Sequence, residues 1–278
     1  MCTELQHLFY DYVKQDKSNF ATKQEGNIRI LTFNVHNWKD YLNRNSLKTI
    51  LSVIINSNAD IVGLCEAMFS NADTKSIIIK KFSNAGYKFI EMCNERYGIN
   101  IVFSKHKILS KKIIHLGRDP IAQQNRYAIA CTISTPAIIN LVLAHLDVYD
   151  ETEDTRFKQA LKIIDNIDDT YIFMGDLNSL RQKDYSTKQW KLIEETDKDR
   201  QVCSQTKVTN LIELNNFTDS FTKLNVSCPP VTVWSMRRVD YIFIGNKFKY
   251  TINGSYIYKT LVSDHFPMYI DFKIEDKE

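Results

Sequence analysis

Eight polar residues in this 278-residue chain stand where apolar, strand-like runs end: Asn34, Glu66, His145, Asp176, Asn178, Asp240, Asp264 and His265. The most informative stretch is Tyr171-Ile172-Phe173-Met174-Gly175-Asp176-Leu177-Asn178-Ser179. Its apolar run stops at a glycine and then presents an aspartate and an asparagine two residues apart, on the same side of an extended chain. Carboxylates, imidazoles and amides in this mixture suit metal-assisted hydrolysis of a phosphodiester. The diester is an anion, so the attacking water has to lose a proton and the charge on phosphorus has to be neutralised. Hard oxygen ligands without thiolates favour Mg²⁺, with Mn²⁺ as a substitute, over zinc. Glu66 together with Asn34 or Asp264 can supply the protein ligands of such a site, the rest being water and substrate phosphate.

These residues need strands to deliver them. Ile28 to Val35 reads as a strand carrying Asn34 at its end, and Ile61 to Cys65 as one that runs straight into Glu66. Further strands are expected at Tyr87–Met92, Ile99–Ser104, Arg126–Ile133, Ile138–Ala144, Tyr171–Met174, Val231–Trp234, Val239–Ile244, Tyr256–Tyr258 and Met268–Phe272. Asn45-Ser46 caps a helix with Leu47, Ile50, Leu51, Ile54 and Ile55 on one face, and a second helix covers about Ala72 to Ser83. Glu151 to Asp154 lead a helix whose expected inner face is Phe157, Leu161 and Ile164. Another helix is expected around Trp190, Leu192 and Ile193, inside a polar region running from Arg181 to Thr209. Residues 1–26 read as an N-terminal extension, a short helix with Leu5, Leu8, Phe9 and Val13 on its apolar face followed by a linker from Lys14 to Gly26. With no repeat or Pro/Gly-rich linker beyond it, residues 27–278 read as one α/β catalytic domain.

Composition narrows the class. The balance of 36 basic and 33 acidic residues gives a net charge of +3, so no global field advertises a long nucleic-acid track. Lysine patches at Lys80-Lys81, Lys105 to Lys107 and Lys111-Lys112 read mainly as solvated surface. The six cysteines never form CxxC, and Cys65, Cys93 and Cys131 lie in apolar runs, which points to reduced core thiols. No stretch has signal-peptide character or approaches the ~18 apolar residues of a membrane span. The expectation is an intracellular protein, nuclear or cytoplasmic, without membrane insertion.

The blocks Thr32-Phe33-Asn34-Val35, Gly63-Leu64-Cys65-Glu66, Gly98 to Ser104, Ala144-His145-Leu146-Asp147, Gly175-Asp176-Leu177-Asn178-Ser179, Arg238-Val239-Asp240-Tyr241-Ile242-Phe243 and Ser263-Asp264-His265-Phe266-Pro267 together resemble the endonuclease/exonuclease/phosphatase superfamily, in its order. The resemblance implies an α/β four-layer sandwich: two packed mixed β-sheets flanked by helices, with a site where strand ends from both sheets converge. It implies that Glu66 binds the catalytic metal with Asn34 beside it and Asp264 completing the shell. His145 would donate to a phosphate oxygen, Asp176 would position or deprotonate water with Asn178 orienting it, and Asp240 would hold the tautomer of His265. Either Asp176 or the Asp240-supported His265 serves as general base on this reading. Arg126, Trp234 and Arg238 are candidate substrate-binding residues, while Asp147 and Asp219 also suit second-rank structural roles.

Within the superfamily, His145 occupies a position that is tyrosine in apurinic endonucleases. The His-Leu-Asp block followed by Arg156 and Gln159 is more similar to tyrosyl-DNA phosphodiesterases and deadenylases. Thr232-Val233-Trp234 is similar, with one valine inserted, to the Thr-Trp element of the tyrosyl-DNA group. The expected activity is Mg²⁺-dependent hydrolysis of a nucleic-acid phosphodiester, by a nuclease or a DNA-end enzyme of the repair type. The alternatives are a lipid or inositol-phosphate phosphoesterase of the same fold and a catalytically silent nucleic-acid-binding module.

Overall fold

The computed structural model describes residues 2–15, 19–94, 98–119, 121, 123–199, 205–227 and 229–273. The chain begins with helix α1 (Cys2–Lys14), strand β1 (Asn27–Asn34), α2 (Leu47–Asn56), β2 (Ile61–Cys65) and α3 (Ala72–Asn84). The strands β3 (Phe89–Asn94), β4 (Gly98–Ser104), β5 (Lys107–Arg118), β6 (Asn125–Ser134) and β7 (Ile138–His145) follow. Next come α4 (Asp154–Ile164), β8 (Tyr171–Asp176), α5 (Thr187–Asp199), α6 (Lys207–Leu214), β9 (Phe217–Asp219) and the single turn α7 (Ser220–Lys223). Strands β10 (Asp240–Gly245), β11 (Thr251–Ile257) and β12 (Met268–Lys273) complete it.

The strands form two mixed six-stranded sheets, ordered β11-β12-β1-β2-β4-β3 and β5-β6-β7-β8-β10-β9. In each, one central pair is parallel, β1 with β2 and β7 with β8, as the intervening helices α2 and α4 require. Every residue of β1, β2 and β10 is buried, which is why these segments read as continuous apolar runs rather than as alternation. Alternation then sorts their faces. Ile28 and Ile30 of β1 pack inward with Ile61, Leu141, Leu143, Ile172, Met174, Ile242 and Ile270, while Leu31 and Phe33 turn outward to Ile50 and Ile54 of α2 and Ile78 and Phe82 of α3. On the far side, α4 and α6 cover the second sheet through Ala160, Ile163, Val208 and Ile212. The result is the four-layer sandwich.

Several details depart from the sequence reading. Val231–Trp234 is not a strand; Val233 makes only isolated bridges, to Arg237 and His265. Strand β5, whose lysines read as surface, is a twelve-residue edge strand, and α6 emerges from the polar region. Helix α4 does not bury Phe157, Leu161 and Ile164 as its face: Arg156, Gln159, Ala160 and Ile163 are buried and Leu161 is exposed. Hydrogen bonds rotate it. Arg156 Nη1 donates to Asp147 O at 2.9 Å and Gln159 Oε1 accepts from Asp147 N at 2.8 Å, so the polar side chains are spent on the loop after β7. Among the described side chains of α1 only Phe9 is fully buried, stacked on Phe266 with ring centroids 4.8 Å apart, while Leu8 is exposed. Between α1 and β1, Phe20 stacks on Tyr258 at 4.1 Å and Ala21 O accepts from Arg29, so residues around 20 lie against the first sheet. Among the described residues no helix is long and apolar enough to cross a membrane.

Cys65, Cys93 and Cys131 are free thiols on β2, β3 and β6; the side chains of Cys2, Cys203 and Cys228 lie outside the described residues. Burial pushes the Cys93 and Cys131 thiols up to about 12 and Cys65 well above its ordinary value. At pH 8 a group at about 12 is ionised to roughly one part in 10⁴, and only thiolate alkylates. Iodoacetamide treatment of the native protein at pH 8, followed by peptide mass spectrometry, is therefore expected to leave all three unmodified, and urea to expose them. Rapid native labelling of Cys131 would contradict this packing.

Candidate active site

Register builds the site. Within the second sheet, His145 on β7 pairs with Asp176 on β8, and Asp176 pairs in turn with Asp240 on β10, so three polar residues stand in a row across neighbouring strands. In the first sheet Asn34 ends β1 opposite Cys65, and Glu66 follows at once. Ser263 Oγ donates to Asn34 O at 2.9 Å, anchoring the loop that carries Asp264 and His265 to the same end of the sandwich.

Gly175 explains why the row can form. Its φ is +133°, and a Cβ there would lie 1.9 Å from Ala144 O on the neighbouring strand. Only glycine lets β8 come this close to β7 just before Asp176. The left-handed backbone values of His36 (44°), Asn37 (52°), Trp38 (64°), Glu66 (54°) and Asn178 (46°) gather at the same end. Such conformations cost about 1–3 kcal/mol each for non-glycine residues and persist where the surroundings enforce them. Here Asn37 N donates to Glu66 O, and Asn178 N to Asp176 Oδ1, which enforce the turns.

The side chains converge across the sheets. Asn34 Nδ2 donates to Asp176 Oδ2 at 2.9 Å and to Glu66 Oε1 at 3.1 Å, and Asn37 Nδ2 to Glu66 Oε2 at 3.1 Å. His145 Nε2 lies 3.6 Å from Asp176 Oδ2 and 3.9 Å from Glu66 Oε1. His265 Nε2 is 3.8 Å from Asp176 Oδ2, and its Nδ1 is 2.8 Å from Asp240 Oδ2. Asn178 Nδ2 donates to Leu146 O at 3.3 Å. Asp264 Oδ1 lies 3.5 Å from His36 Nδ1. All eight strand-end residues thus meet in one region. Glu66 and Asp264 are its open members, with side chains 29% and 17% exposed, whereas Asp176 and Asp240 are at 2% each.

Burial and charge set the protonation. Burial raises the Asp176 carboxyl, and the neighbouring Asp240 charge raises it further against the pull of both histidines. Burial alone would discharge His265, but Asp240 and Asp176 outweigh it and hold the imidazole well above its ordinary value. His145 goes the other way, down to about 4: burial dominates, and the charges of Arg126 and His265 add to it against Asp176. The two histidines are thus driven in opposite directions.

The three proposed substrate-contact residues fare differently. Arg238 is 1% exposed and points away from solvent; its guanidinium pairs with Asp184 Oδ2 at 2.8 Å and Asp219 Oδ1 at 2.5 Å and lies over the Phe221 and Tyr241 rings. It is an internal brace, not a surface contact, because a buried guanidinium between two carboxylates has no charge to spare. Arg126 is turned toward His145 and Asp119. Trp234 is half-buried beside Leu180, Trp190, Val233 and Val239, and its N donates to Asp264 O at 2.8 Å. Thr232, which the sequence reading took as part of a strand, is fully buried and its Oγ1 accepts from Val239 N and Asp240 N, fixing the start of β10. Glu153 was read only as part of an acidic helix start. Its carboxylate is buried and accepts from Ser179 Oγ and from Lys207 N, tying the Asp176–Ser179 loop to the N-terminus of α6. A threonine two residues before a tryptophan, or one acid in an acidic run, carries no local signal of such a role.

Two packed mixed sheets with carboxylates, amides and imidazoles gathered at one edge define an α/β four-layer sandwich with a polar site at the strand ends. The chain belongs to the Endonuclease/Exonuclease/phosphatase family, whose sequence profile matches residues 31–265 and whose members are generally hydrolases of phosphoester bonds. Solved structures with the same fold include an endonuclease/exonuclease/phosphatase from Beutenbergia cavernae DSM 12333, at 17% identity and TM-score 0.68 over 90% of this chain and 72% of that one. D. rerio TDP2 complexed with single-strand DNA product gives 16% identity and TM-score 0.66 over 90% and 100%. The human Nocturnin catalytic domain with bound sulfate gives 17% and 0.65 over 91% and 97%. No curated protein sequence matches significantly.

Two substitutions separate framework from chemistry. Arg238→Gln leaves Asp184 and Asp219 buried without their cation and is expected to cost about 3–5 kcal/mol of stability, read as a fall in melting temperature. A normal melt with a raised KM would instead restore Arg238 as a substrate contact. Gly175→Ala is expected to lose about 3 kcal/mol or more through the clash with Ala144; wild-type stability in urea unfolding would refute the close approach of β7 and β8.

Proposed function

We propose that the protein is a divalent-metal-dependent phosphodiester hydrolase acting on nucleic acid. The observation that carries this is the convergence of Asn34, Glu66, His145, Asp176, Asn178, Asp240, Asp264 and His265 at one end of the sandwich. It is supported by the nucleic-acid complex of D. rerio TDP2, a protein of the same fold.

The donor set fits Mg²⁺, with Mn²⁺ as its substitute. Glu66 is the most open carboxylate of the site, Asp264 lies beside His36 on the same rim, and the Cys65 thiol next to Glu66 is buried and well above its ordinary pKa. Asp176, Asp240 and His265 also offer ligand atoms within 4.8 Å of one another. Asp240 Oδ2 is committed to His265 Nδ1, however, and a magnesium ion that keeps several waters needs the open rim. We therefore assign Glu66, with Asn34 and Asp264, to the metal. When bound, the ion offsets phosphate charge and polarises the phosphoryl oxygen.

The remaining steps belong to the chain. Asp176 keeps acceptor capacity beyond its bonds to Asn34 and Asn178 N, and its raised basicity suits it to orient the attacking water and take its proton. Asn178 orients the same water. His145 donates Nε2–H to a phosphoryl oxygen, and His265, charged and held by Asp240, stabilises the anion developing on phosphorus.

Asp176→Ala and His265→Ala are each expected to lose about 10² to 10⁴ in kcat while remaining folded by circular dichroism. The assay is a panel of a 5′-phosphotyrosyl oligonucleotide, abasic duplex, polyadenylate and sphingomyelin, with Mg²⁺ and with EDTA. Cleavage that survives EDTA, or wild-type turnover in either variant, would sink this mechanism. Turnover of sphingomyelin alone would select the lipid phosphoesterase, and DNA binding without cleavage of any substrate the silent module.

A further inference from the structure

The two site histidines are held by opposite kinds of partner. His265 Nδ1 faces a carboxylate, Asp240, which only accepts, so its Nδ1 carries a proton. His145 Nδ1 faces Arg126 Nη1 at 3.4 Å. A guanidinium only donates, so this Nδ1 has to present its lone pair. In a neutral imidazole the single proton then resides on Nε2.

We propose that Arg126 is a positioning residue that sets the tautomer of His145, turning its Nε2–H toward the substrate phosphate, and that Asp119 holds Arg126 in that task. The geometry of each link is on the buried side of the site. Arg126 Nη2 lies 3.4 Å from Asp119 Oδ2, with side chains 12% and 0% exposed. The guanidinium is thereby turned to the protein through Nη1 and Nη2, while its buried Nε has no hydrogen-bond partner among the described residues. On the opposite edge of the imidazole, Nε2 faces Asp176 Oδ2 at 3.6 Å and Glu66 Oε1 at 3.9 Å. Those separations exceed direct hydrogen-bonding distance, leaving the Nε2–H for an acceptor seated between the two carboxylates.

Asp119 in turn sits against Asp147, whose carboxyl is raised to about 6 by burial and by its contact with Asp119. The two histidines are thus set apart by their second partners, Nδ1 facing an acceptor carboxylate in His265 and a donor guanidinium in His145. The last step, donation to a phosphoryl oxygen, rests on the proposed phosphodiesterase activity; the tautomer does not.

The test reads the tautomer on the protein alone. Long-range ¹H–¹⁵N NMR of ¹⁵N-histidine-labelled protein, with His145 assigned by the signal missing in His145→Gln, is expected to show an Nε2–H tautomer at pH 7. An Nδ1–H tautomer in the wild-type protein overturns the proposal before any variant is made. Arg126→Lys, which also only donates, is expected to keep the Nε2–H form and to stay within about 3-fold of wild-type kcat. Arg126→Glu, which only accepts, is expected to move the proton to Nδ1; Arg126→Gln reads the same shift in part should the glutamate variant not fold. An unchanged tautomer in a folded Glu or Gln variant overturns the assignment to Arg126. On the substrate that the panel identifies, a flipped tautomer is expected to lower kcat about 10²-fold, the usual cost of one lost donor to a developing oxyanion, with KM little changed. A flipped tautomer with unchanged kcat would remove His145 as donor. Absence of turnover on every substrate would instead bear on the proposed function and leave the tautomer result standing.

Discussion

Asp176 and Asp240 face each other on adjacent strands, both almost wholly buried, and much of the surrounding structure compensates this pair of like charges. Two carboxylates at such a place could not both ionise without partners. Asp240 receives His265 Nδ1, and Asp176 receives Asn34 Nδ2 and Asn178 N, with both imidazoles within 4 Å. The charged His265 is the counter-ion of the pair. Removing any one of these partners would leave a buried carboxylate short of compensation, which is why the site requires both sheets at once.

That requirement shapes the fold. Asn34 belongs to the first sheet and Asp176 to the second, so their hydrogen bond is possible only where the two sheets present the same end to each other. The Cys65 thiol, 3.5 Å from Ala144 O, crosses the same seam. Ser263 ties the His265 loop to β1, and Thr232 fixes the first residues of β10. Apolar burial between the sheets supplies the attraction; these few polar links decide the alignment, to which a carboxylate and an amide are far more sensitive than two leucines.

The strands that carry the site were legible because they are doubly buried and end abruptly in polar residues, as β1, β2, β7, β8 and β10 do. A strand end is a one-dimensional signal, and so Asn34, Glu66, His145, Asp176, Asn178, Asp240, Asp264 and His265 could be picked out as candidates in the sequence. Direction was not legible. Nothing local told Arg238 to turn inward to Asp184 and Asp219, because those partners lie 54 and 19 residues away in the chain. Arg156 and Gln159 broke the apolar-face reading of α4 for the same reason: long-range hydrogen bonds to Asp147 outweighed a few partly buried side chains. The segment around Thr232 makes only isolated bridges, yet three of its backbone and side-chain bonds hold Asp240, Asp264 and Phe266.

The fate of the arginines bears on the chemistry. Arg29, Arg156, Arg181 and Arg238 are buried among carboxylates, backbone carbonyls and aromatic rings, and Arg126 faces Asp119 and His145. Each already answers a local demand, so none of them can swing freely to a substrate phosphate without stranding a buried partner. An anionic diester arriving at the rim would meet Glu66 and Asp264 before any of these cations. Two open carboxylates repel a phosphate unless a cation lies between them, and a divalent ion there would turn the repulsion into a binding site. The charge pattern of the rim thus suits a cation better than a bare anion, on grounds independent of family membership.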